Sequence, residues 1–367
     1  MHASTASDEQ LSWKPEEILA TETGLEPLVA NGVRCHGGFD SGGRYRSPRA
    51  LHRIPAIRAW QERLAREGAA LVEIPRELIP PQFPNVAQAK LLLQEGVRDP
   101  IVRALTTISI VEGFGAIIRD VPLPDLAAVV HGPLDGTALA HLGSGLFEAH
   151  ARDEAGHRDE GGHKQMWEAA RDLALENPKI PGDVLMRIMG RRTNAPKRKR
   201  FLPQLDEKLE NLASTMVNVL VVEIFAESVF GWGFSLLSDP DISARPEEAG
   251  AMVSHIRTDE NPHVEYLRTA LSELRARNLV TADGGSLPGR ELVDGLLHRT
   301  LRAFTQDRPR EQREDARASL QEALVAAGRP DRVAEQFDAL ESSWTAPVLT
   351  GFEPRSGAHG ESQPVDA

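Results

Sequence analysis

Four stretches of the chain repeat apolar residues at the three- and four-residue spacing of a helix, and each apolar stripe is broken near its middle by a carboxylate. In segment A, about 99–119, the stripe runs Ile101, Leu105, Ile108, Glu112 and Gly115. Segment B starts near Thr137 and runs Leu139, Leu142, Leu146, His150, Glu154 and His157. Segment C, about 205–237, aligns Leu212, Met216, Leu220, Glu223, Glu227 and Phe230. Segment D, about 246–277, aligns Met252, Ile256, Glu260, His263, Leu267 and Leu274. Burying one carboxylate on such a face costs several kcal/mol, and several facing one another repel. A fold that accepts this pattern must supply compensating positive charge, and metal ions do so.

No strand-like alternation persists elsewhere, so the predicted class is all-α. Residues 1–96 read as an extension of loops and short helices. It holds a helix at about 55–66 and a connector marked by Pro75, Pro80, Pro81 and Pro84. Residues 97–280 form the predicted four-helix bundle. Residues 281–349 carry helices at about 289–305, 309–327 and 331–343 that pack outside it, and 350–367 read as a disordered tail.

Composition narrows the function. A net charge of -12 argues against nucleic acid, which calls for a basic face. The single Cys35 excludes a disulfide within the chain, a four-cysteine zinc site and a rubredoxin-type iron site, and fits a reducing compartment. The first residues lack the basic start and apolar stretch of a signal peptide. The longest apolar region, Met216 to Leu237, is interrupted by Glu223 and Glu227, which makes a poor membrane span. The expectation is a cytoplasmic protein with no membrane partner.

The chemistry lies in the order of the interruptions: Glu112 on A, Glu154-x-x-His157 on B, Glu223 with Glu227 on C, and Glu260-x-x-His263 on D. A spacing of three puts Glu and His on one helix face, a turn apart, within reach of one ion. Two helices each giving Glu and two each giving Glu-x-x-His is the arrangement of di-iron and di-manganese carboxylate bundles. Over about 99–277 the chain resembles the ferritin-like di-metal oxidases and oxygenases, among them acyl-carrier-protein desaturases, aldehyde-deformylating oxygenases and arylamine N-oxygenases. The resemblance implies metal ligands at Glu112, Glu154, His157, Glu223, Glu260 and His263. It implies two Fe ions, or Mn or mixed Mn/Fe, with O2 as co-substrate. The implied activity is hydroxylation, N-oxygenation or desaturation of a small organic or carrier-bound substrate, with an external electron donor and a possible homodimer. Both motifs read Asp-Glu-x-x-His (DEAGH at 153–157, DENPH at 259–263). In that superfamily such an Asp often holds a ligand His from another helix, which points to Asp153 and Asp259 as partners that fix the imidazole tautomer.

Some positions leave alternatives open. A second match, DEGGH at 159–163, follows the first, but helical phase favours Glu154 and His157 and puts Glu160 and His163 near a break at Gly161–Gly162. Pro262 inside DENPH threatens to kink or split its helix. Glu223 is nearer the stripe centre than Glu227, which is an extra ligand, a proton carrier or a surface acid. His150 and His255 are each either an extra ligand or a hydrogen-bonded core residue. Tyr266, one turn after His263, is either close to the metals or a packed tyrosine, and with Glu227 it is the candidate for a catalytic role. Gly113, Gly115 and Gly156 flank ligands and could leave room for oxygen or substrate.

The stretch 36–49, rich in Gly and Arg, reads as a flexible loop or an anion-wrapping one. The run 197–200 reads as a solvated basic loop or a dock for an acidic carrier, and Trp232 and Phe234 read as core or pocket wall. Rival classes are a manganese catalase-like or other peroxide-handling protein, and a non-catalytic ferritin-like metal binder.

Overall fold

The apolar segments are helical in the computed structural model, which describes residues 11–193, 199–328, 330–341 and 349 and is mostly helical. The predicted tail, 350–367, and Lys197 and Arg198 of the basic run lie outside the described residues. After a single turn, α1 (Pro15–Ile18), three strands form an antiparallel sheet in the order β1 (Glu26–Ala30), β2 (Val33–Phe39), β3 (Tyr45–Arg46). Helix α2 (Arg53–Arg66) follows, then α3 (Val86–Gln94), which Asn85 starts by accepting the Gln88 N–H. Helix α4 (Asp99–Gly115) tightens into a 3₁₀ turn at Ala116–Asp120. The short α5 (Leu126–Val129) leads to α6 (Ala138–His141), α7 (Phe147–Ala155), α8 (His163–Leu175) and α9 (Val184–Thr193). Next come α10 (Glu207–Leu237), α11 (Pro246–Asp259) and α12 (Asn261–Arg275). A small hairpin, β4 (Asn278–Val280) and β5 (Ser286–Pro288), precedes α13 (Gly289–Arg302), α14 (Arg308–Ala326) and α15 (Pro330–Ala339).

The sequence reading needs three corrections. Strands exist, and the longest, β2, lies in the stretch expected to be a loop. Segment B is not one helix. A π turn at Leu142–Leu146, with Gly145 at φ 129°, separates α6 from α7, and α7 ends at Gly156 with φ 84°. Segment D is broken only nominally. Glu260 keeps helical angles (φ -71°, ψ -23°), its N–H donates to Ile256 at 3.2 Å, and its carbonyl accepts from His263 and Val264 at 3.0 and 3.1 Å. Pro262 sits in the first turn of α12, where its missing N–H is least costly.

Two apolar clusters make the core. One holds Trp60, Leu139, Leu146, Leu212, Leu220, Tyr266 and Leu271. The other holds Ile101, Leu105, Trp167, Phe230, Leu236, Met252 and Ile256. Each predicted segment crosses from one cluster to the other, and its carboxylate lies at the crossing. Helix α4 goes from the second cluster towards Ile118 in the first, while α7–α8 and α10 go from the first to the second. Segment α11–α12 returns from the second to the first. The four therefore run up, down, down, up, with one long crossover between α8 and α10. Helix α4 packs on α7 and α8, α8 on α11, and α10 on α11, α12 and α13. Asp99–Asp120 and Glu207–Leu237 are each long and apolar enough to cross a membrane by length and composition. Each also holds a mid-length carboxylate, Glu112 or Glu223, that is largely covered by the neighbouring helices.

Candidate metal centre

The carboxylates meet where the four segments cross. Glu154 comes from the last turn of α7, and its Oε1 lies 3.2 Å from both His163 Nδ1 and His263 Nδ1. Glu260, at the joint of α11 and α12, places Oε1 2.9 Å from His163 Nδ1 and Oε2 2.7 Å from His263 Nδ1. Glu112 Oε2 approaches His163 Nδ1 to 3.8 Å from the α4 side. On the α10 side, Glu223 Oε1 lies 3.4 Å from His150 Nε2, which is itself 3.9 Å from Glu154 Oε1. Two four-residue groups result, His150–Glu154–Glu223–His263 and Glu154–His163–Glu260–His263, each with its donor atoms close enough to share one ion. These buried clusters of His and Glu could hold metal.

An outer layer fixes the imidazoles. His263 Nε2 is 2.9 Å from Asp153 Oδ2 and His163 Nε2 is 3.7 Å from Asp259 Oδ2, so each Asp serves the histidine of the other segment. Asp153 is in turn held by Arg49 (Nε to Oδ1, 2.6 Å) and Arg53 (Nη2 to Oδ2, 2.7 Å). Asp259 Oδ2 accepts from the Tyr45 hydroxyl at 2.7 Å and lies 3.3 Å from His36 Nε2. The Tyr266 hydroxyl is 3.2 Å from His150 Nδ1. Asp153, Asp259, His150, His163 and His263 are fully buried.

The electrostatics test whether cations fit. Burial and the neighbouring carboxylates Glu154 and Glu260 push Glu112 and Glu223 well above the usual carboxylate range. Burial works against ionisation of Glu154 and Glu260 too, but the facing histidines overcome it and hold both at about 2. Burial also opposes the charged imidazoles, yet the carboxylates hold His163 and His263 well above their ordinary range. Four ionised carboxylates, Glu112, Glu154, Glu223 and Glu260, together carry four negative charges, and two divalent cations carry the opposite charge. Two buried polar atoms of the ring, His150 Nε2 and Glu260 Oε1, face oppositely charged neighbours without a hydrogen bond. The donor set of carboxylate oxygens and imidazole nitrogens suits divalent transition metals.

Of the predicted ligands, Glu112, Glu154, Glu223, Glu260 and His263 are brought together, and His157 is not. His157 lies after the end of α7, in a short bridge with Glu160 (His157 N–H to Glu160 O, 2.9 Å). Its place is taken by His163, the first residue of α8. Gly156 makes the difference. A Cβ there would sit 2.5 Å from Glu160 O, so a glycine in the left-handed region turns the chain and returns it six residues later. Helical phase counted through that turn had no meaning.

Glu227 is also displaced from its predicted role. It pairs with Arg257 on the surface (Arg257 Nε to Glu227 Oε2, 2.9 Å). His255 stacks on Tyr45 with ring centroids 4.0 Å apart, outside the donor groups. Tyr266 does lie against the cluster, through His150. The glycines leave no open space beside the ligands: a Cβ on Gly115 would meet Glu154, and one on Gly113 would meet Lys164. Trp232 is core and Phe234 is exposed. Arg200 is tied to Glu210 at 3.0 Å.

The sequence reading missed His36, Tyr45, Arg49 and Arg53 as parts of the site. Their partners are more than a hundred residues away for Tyr45 and Arg49, so no local pattern marks them. No family model matches the chain, and neither the curated proteins nor the solved structures include a match.

Proposed function

We propose that the chain is a non-haem di-iron oxidoreductase of the ferritin-like type that uses O2 on a small organic or carrier-bound substrate, as a hydroxylase, N-oxygenase or desaturase. The observation that carries this reading is the pair of overlapping donor groups joined through Glu154 and His263, with each ligand histidine backed by an Asp of the opposite segment. The up, down, down, up order with one long crossover adds support, since ferritin-like bundles have that connectivity.

When bound, two ferrous ions supply the electrons that reduce O2. The residues of the chain hold, orient and shield. Glu154 and Glu260 each face both imidazoles, so they are the residues that would hold both cations. Glu112 and Glu223 are end ligands, and their slight exposure (11% and 8% of the side chain) marks the side from which small molecules arrive. Asp153 accepts from His263 Nε2 at 2.9 Å and Asp259 faces His163 Nε2 at 3.7 Å, which leaves the Nδ1 atoms to face the carboxylates. For His150 to offer Nε2, its Nδ1–H donates to the Tyr266 hydroxyl, which makes Tyr266 the residue that sets that tautomer. The surrounding apolar clusters keep water from the centre. An external electron donor completes the cycle, and the single buried Cys35 fits a reducing, cytoplasmic setting.

The test is metal content per chain after anaerobic loading with ferrous iron, followed by O2 uptake. About two irons per chain with O2 consumption supports the reading, and a chain that retains no iron or manganese refutes it. Manganese or mixed Mn/Fe would satisfy the same donors. A manganese-loaded protein that dismutates peroxide would favour the catalase-like alternative.

A further inference from the structure

The two halves of the centre differ in the charge of the layer behind them. Asp153, behind His263, carries two guanidiniums, Arg49 and Arg53, both buried. On its side away from His163, Asp259 meets two uncharged groups among the described residues, the Tyr45 hydroxyl and His36. The neutrality of His36 follows from its partners. Arg49 Nη2 lies 3.2 Å from His36 Nδ1, and a guanidinium has no acceptor, so Nδ1 accepts and the single proton sits on Nε2, facing Asp259.

One half therefore has a negative charge and two positive charges behind it, and the other has a negative charge alone. All of these groups except Tyr45 are at most 4% exposed, where charges are little screened. Arg49 spans both halves through His36, whereas Arg53 touches Asp153 and acts on His150, which makes it the cleaner source of the asymmetry.

We propose that the N-terminal segment 36–53 makes the two cation positions unequal, so that the position served by His163 fills before the position served by His263, with Arg53 weakening the second through Asp153. This inference rests on the di-metal reading. The segment is not a passive cover. It writes an order of loading into a set of inner ligands that is nearly symmetric, and that order gives a route to binding two different metals.

The experiment is an anaerobic calorimetric titration of the metal-free full chain with ferrous iron, repeated with Co2+, whose visible absorption reports each position separately. The wild type gives two steps at least about tenfold apart in Kd, the order expected for unit charges at this range in a buried site. His150→Asn keeps the tight step and His163→Asn loses it, because each of these histidines belongs to one donor group alone. Arg53→Met, which removes the charge and keeps an apolar stem, tightens the second step at least about threefold, while Arg53→Lys keeps the steps apart. A purely structural role for Arg53 predicts the reverse, with both steps weakened by Arg53→Met. Two equal steps in the wild type, or loss of the tight step in His150→Asn instead of His163→Asn, would overturn the proposal while leaving the di-metal reading standing. A wild type that binds no cation removes both. If Arg53→Met does not fold, the two histidine variants decide.

Discussion

Two glycines on α4, two residues apart, should respond to alanine in opposite directions. Both have an ordinary helical backbone, so alanine brings about 0.5–1 kcal/mol of helix propensity at each position. At Gly113 the new Cβ would meet Lys164 Cδ at 2.8 Å, with the next atoms at 3.5 and 3.6 Å. That Cδ belongs to a half-exposed lysine whose end is tied only to Glu168, so it swings aside cheaply. Gly113→Ala should leave stability unchanged or raise it by up to about 1 kcal/mol.

At Gly115 the Cβ would lie 2.5 Å from Glu154 Cγ, 2.9 Å from Cδ and 3.0 Å from Oε2. Carbon atoms rest at about 3.5–4.0 Å, so one side must move by roughly 1 Å. Glu154 cannot retreat, because its carboxylate is fixed between His163 and His263. Overpacking of this kind costs about 1–3 kcal/mol, which outweighs the propensity gain and leaves a net loss near 1–2 kcal/mol. It also displaces Glu154 from the cluster, so on the di-metal reading iron retention should fall. Urea unfolding of the metal-free proteins gives the stability difference, and metal analysis after loading gives the second effect. A Gly115→Ala protein as stable as Gly113→Ala, with full iron content, would refute the claim that Glu154 is packed rigidly against α4.

Three further outcomes follow from the same geometry. His163→Ala should lose at least one of the two irons while His157→Ala keeps both, and metal analysis of the pair checks this; equal retention would return the site to the Glu-x-x-His reading. Glu227→Ala should shift stability by less than about 1 kcal/mol, the usual worth of an exposed ion pair, and leave iron content intact; a loss of iron would put Glu227 back among the ligands. Burial raises the buried Glu273 to about 7 from its ordinary 4.5, although the N–H groups of Ala138 and Leu139 oppose the shift. The folded state then holds this proton more tightly than the unfolded chain, so the stability it contributes is full below pH 4.5 and lost as pH rises through 7. The loss is of order 3 kcal/mol. Urea unfolding at pH 5 and pH 8 should show that slope weakened in Glu273→Gln, and an unchanged slope would exclude Glu273 as its source.

What the sequence made legible follows from what periodicity can carry. Glu112, Glu223, Glu260 and His263 lie on regular helix or, at Glu260, on backbone that keeps helical angles, so counting residues placed them on the inner face. His150 and Glu154 lie in the one regular stretch of segment B, and His150 proved closer to the carboxylates than a core residue needs to be. His163 was hidden by the turn at Gly156. The DEGGH repeat and its paired glycines were visible, and a Glu-to-His distance that spans a break was the reading needed. The strands around His36 and Tyr45 were illegible for another reason. Their short sheet leans on the helices, and its side chains find partners in α7, α11 and α8, so nothing nearby in the chain betrays them.

The reach of the segment 36–53 has a consequence for how the protein is made. Tyr45 and its partner Asp259 are separated by 214 positions, and Arg49 and Asp153 by 104. A ribosome adding about 5–20 residues per second takes roughly 10–40 s to bring Asp259 out after Tyr45. Asp153, the anion of Arg49 and Arg53, emerges about halfway through that interval, whereas His36 and Tyr45 wait for Asp259 until its end. A segment made well before its partners is therefore among the last to find its place, and the centre closes only when the end of α11 reaches it.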